Sequence, residues 1–394
     1  MTSSQFDVAV AGGGAIGIAC AWRAAQRGLR TVVLDAGEPG AWEVAAGMLA
    51  PVTEAEPGEA PLLELGLRSA RGFADFCAEL AEAAGEDPGH RATGTLVVAR
   101  DRDEAEALEH QLAFRRELGL AVERLRPSQA RRAEPALAPT IRLALDVPGD
   151  HSVDPRRLVA ALATAFERAG GTLRRGTRVV GVTTDDARVA GLRLADGEIV
   201  RADQVLLAPG VGAARLTGLP DEARVPVRPV KGQVLRLRDP RGPGLLQRTI
   251  RGAEGYLVPR ADGRYVLGAT TEERGWDTAP TAGGVYELLR DMSELVPGVL
   301  ELEIEELCVG LRPATPDNLP AVGRGALEGL VWATGHYRNG ILLAPVTADL
   351  VADILCGEPA PEWAAAADPR RWGSDPLSGG DSRGLTPFVG ADAP

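Results

Sequence analysis

The chain has 394 residues, 45% hydrophobic and 25% charged, a length that divides a buried core between two domains rather than enlarging one. Its formal charge of −12 argues against a nucleic-acid partner, because neutralising phosphates needs a basic surface or stripe. Four cysteines without a C-x-x-C pair and four scattered histidines without H-E-x-x-H point to no metal site.

The start, MTSSQFDVAV, lacks the charged and apolar regions of a secretory leader, and no apolar run approaches the roughly 20 residues of a membrane span. The expectation is a soluble, cytoplasmic protein in a reducing setting, with no membrane partner. Residues 6–11 read as a buried strand, 12–17 as a glycine turn and Ala15 to Arg27 as an alanine-rich helix; TVVLD at 31–35 completes a βαβ unit. Residues 61–84 have helical spacing, with Leu63, Leu67, Phe73 and Phe76 on one side and glycines from Gly85 ending the run. A strand at 94–99, a charged helix near 102–118 and short strands around 121–147 suggest a mixed α+β insertion.

Asp154-Pro155 opens a further helix, because aspartate caps and proline is tolerated at the first helical position. It runs to about Ala169. Short strands are expected at 178–183, 189–194 and 198–202, and a separate buried one at 204–208. Segment 228–236 and the pair GYLVPR (255–260) and RYVLGAT (264–270), joined by Ala261-Asp262-Gly263, read as antiparallel strands. A last strand at 329–334 enters Gly335, with a helix predicted from about Gly340 to Cys356. Beyond Trp363 the Gly, Ser, Pro and Asp content predicts a mobile tail over 363–394.

Gly12, Gly14 and Gly17 lie between a strand and a helix, with Asp35 eighteen residues after the last of them. Glycines here permit a tight turn, close approach to a pyrophosphate and close helix packing, while an acid at the next strand's end can accept from ribose hydroxyls. The motif does not choose between FAD and NAD, nor exclude a non-catalytic nucleotide-binding module. Ala45 to Pro51 (AAGMLAP) is either an ordinary tight loop or a place where a flat ring lies on backbone, and Val205 to Gly210 is as readily a strand and turn. Gly335 to Gly340 (GHYRNG) says more. Joining a strand to a helix, it offers N–H groups and a helix dipole to a reduced flavin.

Taken together, GGGAIG with Asp35, AAGMLAP, VDPRRL, PVKGQ, GLRPATPD and GHYRNGILLAP resemble the D-amino-acid oxidase family of flavoproteins, and within it the glycine-oxidising members that serve thiamine biosynthesis. The resemblance spans about residues 5–358. It implies an α/β plus α+β fold, in which a Rossmann-like FAD-binding domain (1–88, 150–226 and 318–362) holds an inserted antiparallel-sheet substrate domain (89–149 and 227–317). It also implies non-covalent FAD, since Cys308 is displaced by two residues from the Gly310 position at which some relatives attach flavin. A two-residue shift in an extended segment moves the thiol by roughly 6 to 7 Å.

By the same resemblance Arg312 is the principal partner of the substrate carboxylate, Arg338 a second pocket arginine, Tyr256 the pocket tyrosine and Met48 a residue beside the ring. Cofactor contacts would come from Gly12, Gly14, Ala15, Ile16, Gly17, Asp35, Ala45, Ala46, Gly47, Met48, Val180, Gly210, His336, Tyr337, Arg338, Asn339, Gly340 and Ile341. Lys231 is read as a strand-start residue outside the catalytic set. The implied reaction removes hydride from the Cα of glycine or another small amino acid, gives the imino acid and reduces oxygen to hydrogen peroxide. Sarcosine, small D-amino acids and an acceptor other than oxygen stand as alternatives. The family further implies a homo-oligomer and a thiazole-forming enzyme as a possible partner.

Overall fold

The computed structural model describes residues 6–372. Two eight-stranded sheets carry the chain. In the first, the strand Phe6–Ala11 lies centrally, parallel to Thr31–Leu34 on one side and to Ile199–Leu207 on the other. Thr172–Arg174 extends it beyond Thr31–Leu34, Leu330–Thr334 beyond Ile199–Leu207, and Ala321–Arg324 closes that edge antiparallel. Phe6–Ala11, Thr31–Leu34 and Leu330–Thr334 are apolar and buried along almost their whole length, as parallel strands covered on both sides must be. Helices Ala15–Gln26, Ala60–Ala84, Pro155–Arg168 and Ala344–Leu355 share one core, with Trp22 set edge-on to Phe76 at a centroid distance of 5.5 Å.

The second sheet runs in the order Glu303–Ala314, Arg228–Arg238, Arg264–Gly268, Tyr256–Pro259, Thr249–Arg251, Thr95–Ala99, Leu143–Val147 and Glu123–Leu125. All its pairings are antiparallel except Thr249–Arg251 with Thr95–Ala99. Alternation divides its faces. Leu235, Leu237, Leu257 and Leu267 pack with the helix Ala282–Leu295, while Val234, Val258 and Val266 face Val44 and Ala46 of the other half.

Most elements lie where the periodicity places them. Asp154 caps its helix by accepting from the N–H groups of Arg156 (3.0 Å) and Arg157 (3.3 Å), with Pro155 at the first position. Segments 198–202 and 204–208, expected as two strands, form one strand, Ile199–Leu207. Its first part pairs antiparallel with Arg188–Leu194 and its last part parallel with Phe6–Ala11, so one strand serves two ladders. The last helix begins at Ala344 rather than Gly340, because the N–H groups of Asn339 and Leu343 are used in a preceding turn. The expected tail is ordered at its start: 3-10 turns at Glu362–Ala367 and Pro369–Trp372 bury Ala364, Ala367 and Trp372. The remainder of that tail, 373–394, lies outside the described residues. The helix Ala282–Leu295 and the strand Glu303–Ala314 were not expected as elements at all. Among the described residues no helix is long and apolar enough to cross a membrane.

The close approach at the glycine turn is enforced by packing. A Cβ on Gly17 would sit 2.0 Å from the Gly12 carbonyl oxygen and 3.3 Å from the Ala208 side chain. Helix propensity alone favours alanine over glycine by about 1 kcal/mol. Gly17→Ala is nevertheless expected to lower stability, because overpacking costs about 1–3 kcal/mol even before propensity is offset. Urea denaturation reads the sign, and a more stable variant would show that the helix is free to move outward.

Candidate active site

At the glycine turn, the helix Ala15–Gln26 starts without any side-chain cap, so the N–H groups of its first turn remain open. An uncapped helix start behind a glycine turn is an anion site suited to a pyrophosphate. The Asp35 carboxylate accepts from Gly13 N–H and Gly37 N–H, both at 2.8 Å, which holds it over the turn with lone pairs left for ribose hydroxyls.

Farther along, a cavity of about 930 Å³ opens between the loop Ala45–Met48, the corner Tyr337–Ile341 and one face of the second sheet. Gly47 has φ +76°, and a Cβ there would lie 2.0 Å from the Val153 carbonyl oxygen, so the loop is pressed against backbone. Met48 borders the cavity from the short strand it forms with Ser152. At the corner, Tyr337 holds a left-handed φ of +46° and donates its N–H to the Pro313 oxygen (3.0 Å), tying the corner to the strand that carries Arg312. The N–H groups of Arg338, Gly340, Ile341 and Leu342 have no partner among the described residues. A flat, electron-accepting ring with carbonyl oxygens at its edge is the group such donors fit.

Arg312 and Tyr256 come to this cavity from the first and fourth strands of the second sheet. Arg312 Nη1 donates to the backbone oxygens of Thr270 (3.1 Å) and Lys231 (3.3 Å). Its Nε–Nη2 edge, the two-donor side that matches a carboxylate, has no partner among the described residues. Gly232 makes this orientation possible: a Cβ there would stand 2.4 to 2.5 Å from three atoms of the guanidinium. Gly268, opposite Tyr256, likewise clears the tyrosine hydroxyl.

The sequence profile of the DAO family, FAD dependent oxidoreductases, matches residues 7–354. This chain belongs to that family. Glycine oxidase of Geobacillus kaustophilus is 36% identical over 356 residues, covering 89% of this chain and 93% of that protein. The crystal structure of glycine oxidase from Geobacillus kaustophilus superposes with a TM-score of 0.86 at 35% identity, over 93% of this chain and 98% of that one. The bifunctional protein ThiO/ThiG of Synechocystis sp. is 34% identical over 373 residues, and this chain spans only 54% of its length.

As a DAO-family flavoprotein the chain presents half of its expected site residues around one space. Met48, Ala45, Ala46, Gly47, Tyr256, Arg312, Tyr337, Arg338, Asn339 and Ile341 all line the cavity. The His336 side chain turns the other way, into the core, with Nε2 3.1 Å from Thr347 Oγ1, and burial pushes its pKa down to about 3, so it stays neutral. Val180 is half-buried in its strand with its carbonyl oxygen accepting from Thr217, and Gly210 (φ +56°) opens the turn beyond Ala208. Lys231 is fully buried and donates to Asp277 (2.8 Å) and the Ala279 oxygen (2.6 Å). The Cys308 thiol lies 3.3 Å from Glu306 Oε2 and 3.9 Å from Arg156 Nη2.

Among the lining residues that the sequence did not disclose, Glu54 and Arg251 lie against the expected ones. Glu54, only 14% exposed, pairs through Oε1 with Arg251 and through Oε2 with Arg338 at 2.9 Å. Burial alone would raise this carboxyl, but the two guanidiniums outweigh it and hold it below the usual range. Burial, reinforced by Glu54, raises the Tyr256 hydroxyl, which therefore remains a donor near neutrality. Arg251 stands directly opposite Tyr256 in the hairpin, a register that the four residues Gly-Ala-Glu-Gly between them could have disclosed. Glu54→Gln leaves the enclosed Arg251 and the exposed Arg338 without their counter-charge and should cost about 3 kcal/mol in urea denaturation, nearly all of it from Arg251.

Asp150 anchors the chain beyond Met48 by accepting from Val52 N–H (3.1 Å) and Thr53 N–H (2.7 Å), and burial raises its pKa from 3.8 to about 6. With the folded value above the unfolded one, its contribution is fully present below about pH 3.8 and is lost as pH rises through about 6. Relative to Asp150→Asn, the wild-type protein should therefore gain stability between pH 7 and pH 4. Parallel slopes for the two proteins over that range would contradict this.

Proposed function

We propose that this protein oxidises a small free amino acid, glycine first, to its imino acid with production of hydrogen peroxide in thiamine biosynthesis. The observation that carries the reading is the anchored Arg312, with its open Nε–Nη2 edge in the same cavity as Met48 and the Tyr337–Ile341 corner. The resemblance to the Geobacillus glycine oxidase supports the choice of substrate. The sheet of residues 6–34, 172–207 and 321–334 then belongs to the cofactor domain, and that of 95–147 and 228–314 to the substrate domain.

The chemistry FAD supplies when bound, without a covalent link, is two-electron acceptance from the substrate Cα–H bond and return of both electrons to oxygen. Around it the chain's residues bind and orient. Arg312 takes the substrate carboxylate through two parallel hydrogen bonds, and Tyr256 and Arg338 add donors from the sides. Held this way, Cα is a fixed distance from the carboxylate anchor, which is a proximity effect. The nitrogen lone pair of the neutral amine forms the C=N bond as the hydrogen leaves, so no side-chain base is required. A thiazole-forming enzyme as partner is supported by the bifunctional ThiO/ThiG relative. A reducing, cytoplasmic setting suits the four free cysteines, and self-association follows the family resemblance.

Peroxide release from glycine, sarcosine and small D-amino acids under air tests the reaction and ranks the substrates. Arg312→Ala should keep its yellow flavin and lose about 10²-fold in kcat/KM, mostly through KM, as expected for about 3 kcal/mol of charge-assisted hydrogen bonding. A colourless protein that rejects added FAD, or an unchanged KM, would remove the reading.

A further inference from the structure

The loop Glu43–Met48 crosses the second sheet and divides that face in two. Val44 and Ala46 pack on Val234, Val258 and Val266 in the middle. Strand alternation puts Tyr256 and Arg312 on the catalytic side of this seam, and Arg260 and Arg236 on the other side, two residues beyond Val258 and Val234. On that far side lies a separate cavity of about 450 Å³, lined by Arg236, Arg260, Arg264, Asp154, Arg156 and Glu306 among others.

Two of its arginines are unusual for groups so deeply enclosed. Arg260 is 6% exposed; Nη2 donates to the Ala46 oxygen (2.6 Å), while Nε and Nη1 are buried without a hydrogen-bond partner. Arg236 is 8% exposed; Nη2 donates to the Glu43 oxygen (2.5 Å), and its Nε is equally unpartnered. Of the other acids lining the cavity, Glu86, Asp87 and Glu305 are exposed, Asp87 pairing with Arg157 and Glu305 with Arg238, and the two nearest the buried arginines are committed elsewhere. Asp154 caps its helix and reaches Arg260 Nε only at 3.6 Å; Glu306 holds Arg156 through both oxygens at 2.8 Å and stands 3.9 Å from Arg236 Nε. Burial lowers the Arg260 pKa to about 10 despite Asp154, with Arg236, Arg264 and Arg91 adding to the depression. Buried guanidinium donors without acceptors are costly, and an entering anion relieves that cost.

We propose that this cavity is a second binding site, for a small oxyanion of the phosphate or carboxylate class, held by Arg260 and Arg236. The same two guanidiniums hold the Glu43 and Ala46 oxygens, so an anion that draws them inward acts on the backbone leading to Met48. Occupancy of the second cavity thereby tunes the wall of the first.

Calorimetric titration of the flavin-loaded protein with inorganic phosphate tests the site, with acetate as the carboxylate arm. One equivalent should bind to the wild type and equally to Arg312→Gln, which empties the catalytic clamp. Arg260→Gln and Arg236→Gln should each weaken binding roughly tenfold or more, the loss expected for charged hydrogen bonds, while retaining flavin absorbance. If Arg260→Gln loses its flavin, Arg236→Gln decides. Acetate competing on equal terms identifies a carboxylate ligand, and its failure to compete a phosphate. No binding to the wild type at about 10 mM of either anion, which corresponds to about −3 kcal/mol, overturns the proposal and leaves the cavity to water. Binding abolished by Arg312→Gln but kept in Arg260→Gln overturns it too, by locating the anion in the catalytic cavity.

Discussion

The two halves of this protein are registered by the backbone oxygens of one short loop. Glu43 O accepts from Arg156 and Arg236, Ala46 O from Arg260, and Gly47 is pressed against Val153. Arg236 and Arg260 come from the second sheet, and Arg156 from the first half, where it also binds Glu306 of the second sheet. Carbonyl oxygens at a buried turn must find donors, and guanidiniums reach across the interface while their stems cover apolar surface. With the loop fixed, Met48 and the face of the second sheet can border one cavity. Every distance relevant to chemistry depends on that alignment.

Inside the cavity the balance of charge is deliberate in its consequences. At one end Arg251, Arg312 and Arg338 cluster about the Glu54 carboxylate, while Tyr256 stays protonated; Glu254, Glu272, Glu287 and Asp291 line the remainder. This local excess of positive charge favours the carboxylate of a substrate, and the open two-donor edge of Arg312 then fixes its orientation. The interaction is strong where water is excluded: unit charges about 4 Å apart attract by about 4 kcal/mol at an effective dielectric of 20. His336, buried and neutral, adds no charge and instead fixes the corner to the helix Ala344–Leu355 through Thr347.

Much of the fold was legible because local rules decided it. Gly12 and Gly17 are required by approaches shorter than a Cβ tolerates, and Asp154-Pro155 starts a helix by capping with its own side chain. Where two ladders compete for one strand, as in Ile199–Leu207, or where a turn delays a helix, as before Ala344, composition has no vote. The strand Glu303–Ala314 went unseen because its outer residues, Glu303 to Leu307, are exposed and carry little apolar alternation. The turns after Glu362 were hidden by a composition typical of linkers, although Trp372 buries itself against the first sheet's core.

For the site, motifs named Arg312, Tyr256, Arg338 and Met48 one at a time, and the sequence by itself determined the cofactor class, the βαβ nucleotide unit and the arginine suited to a carboxylate. Only the tertiary structure decided that Arg312 is anchored by one nitrogen and open along its other edge. It alone brought Glu54 between Arg251 and Arg338, and set Arg236 and Arg260 behind the loop. The reason is physical: glycine turns and caps depend on neighbours a few residues away, whereas the pairing of buried charges depends on which strands meet, and strand register is a property of the whole sheet.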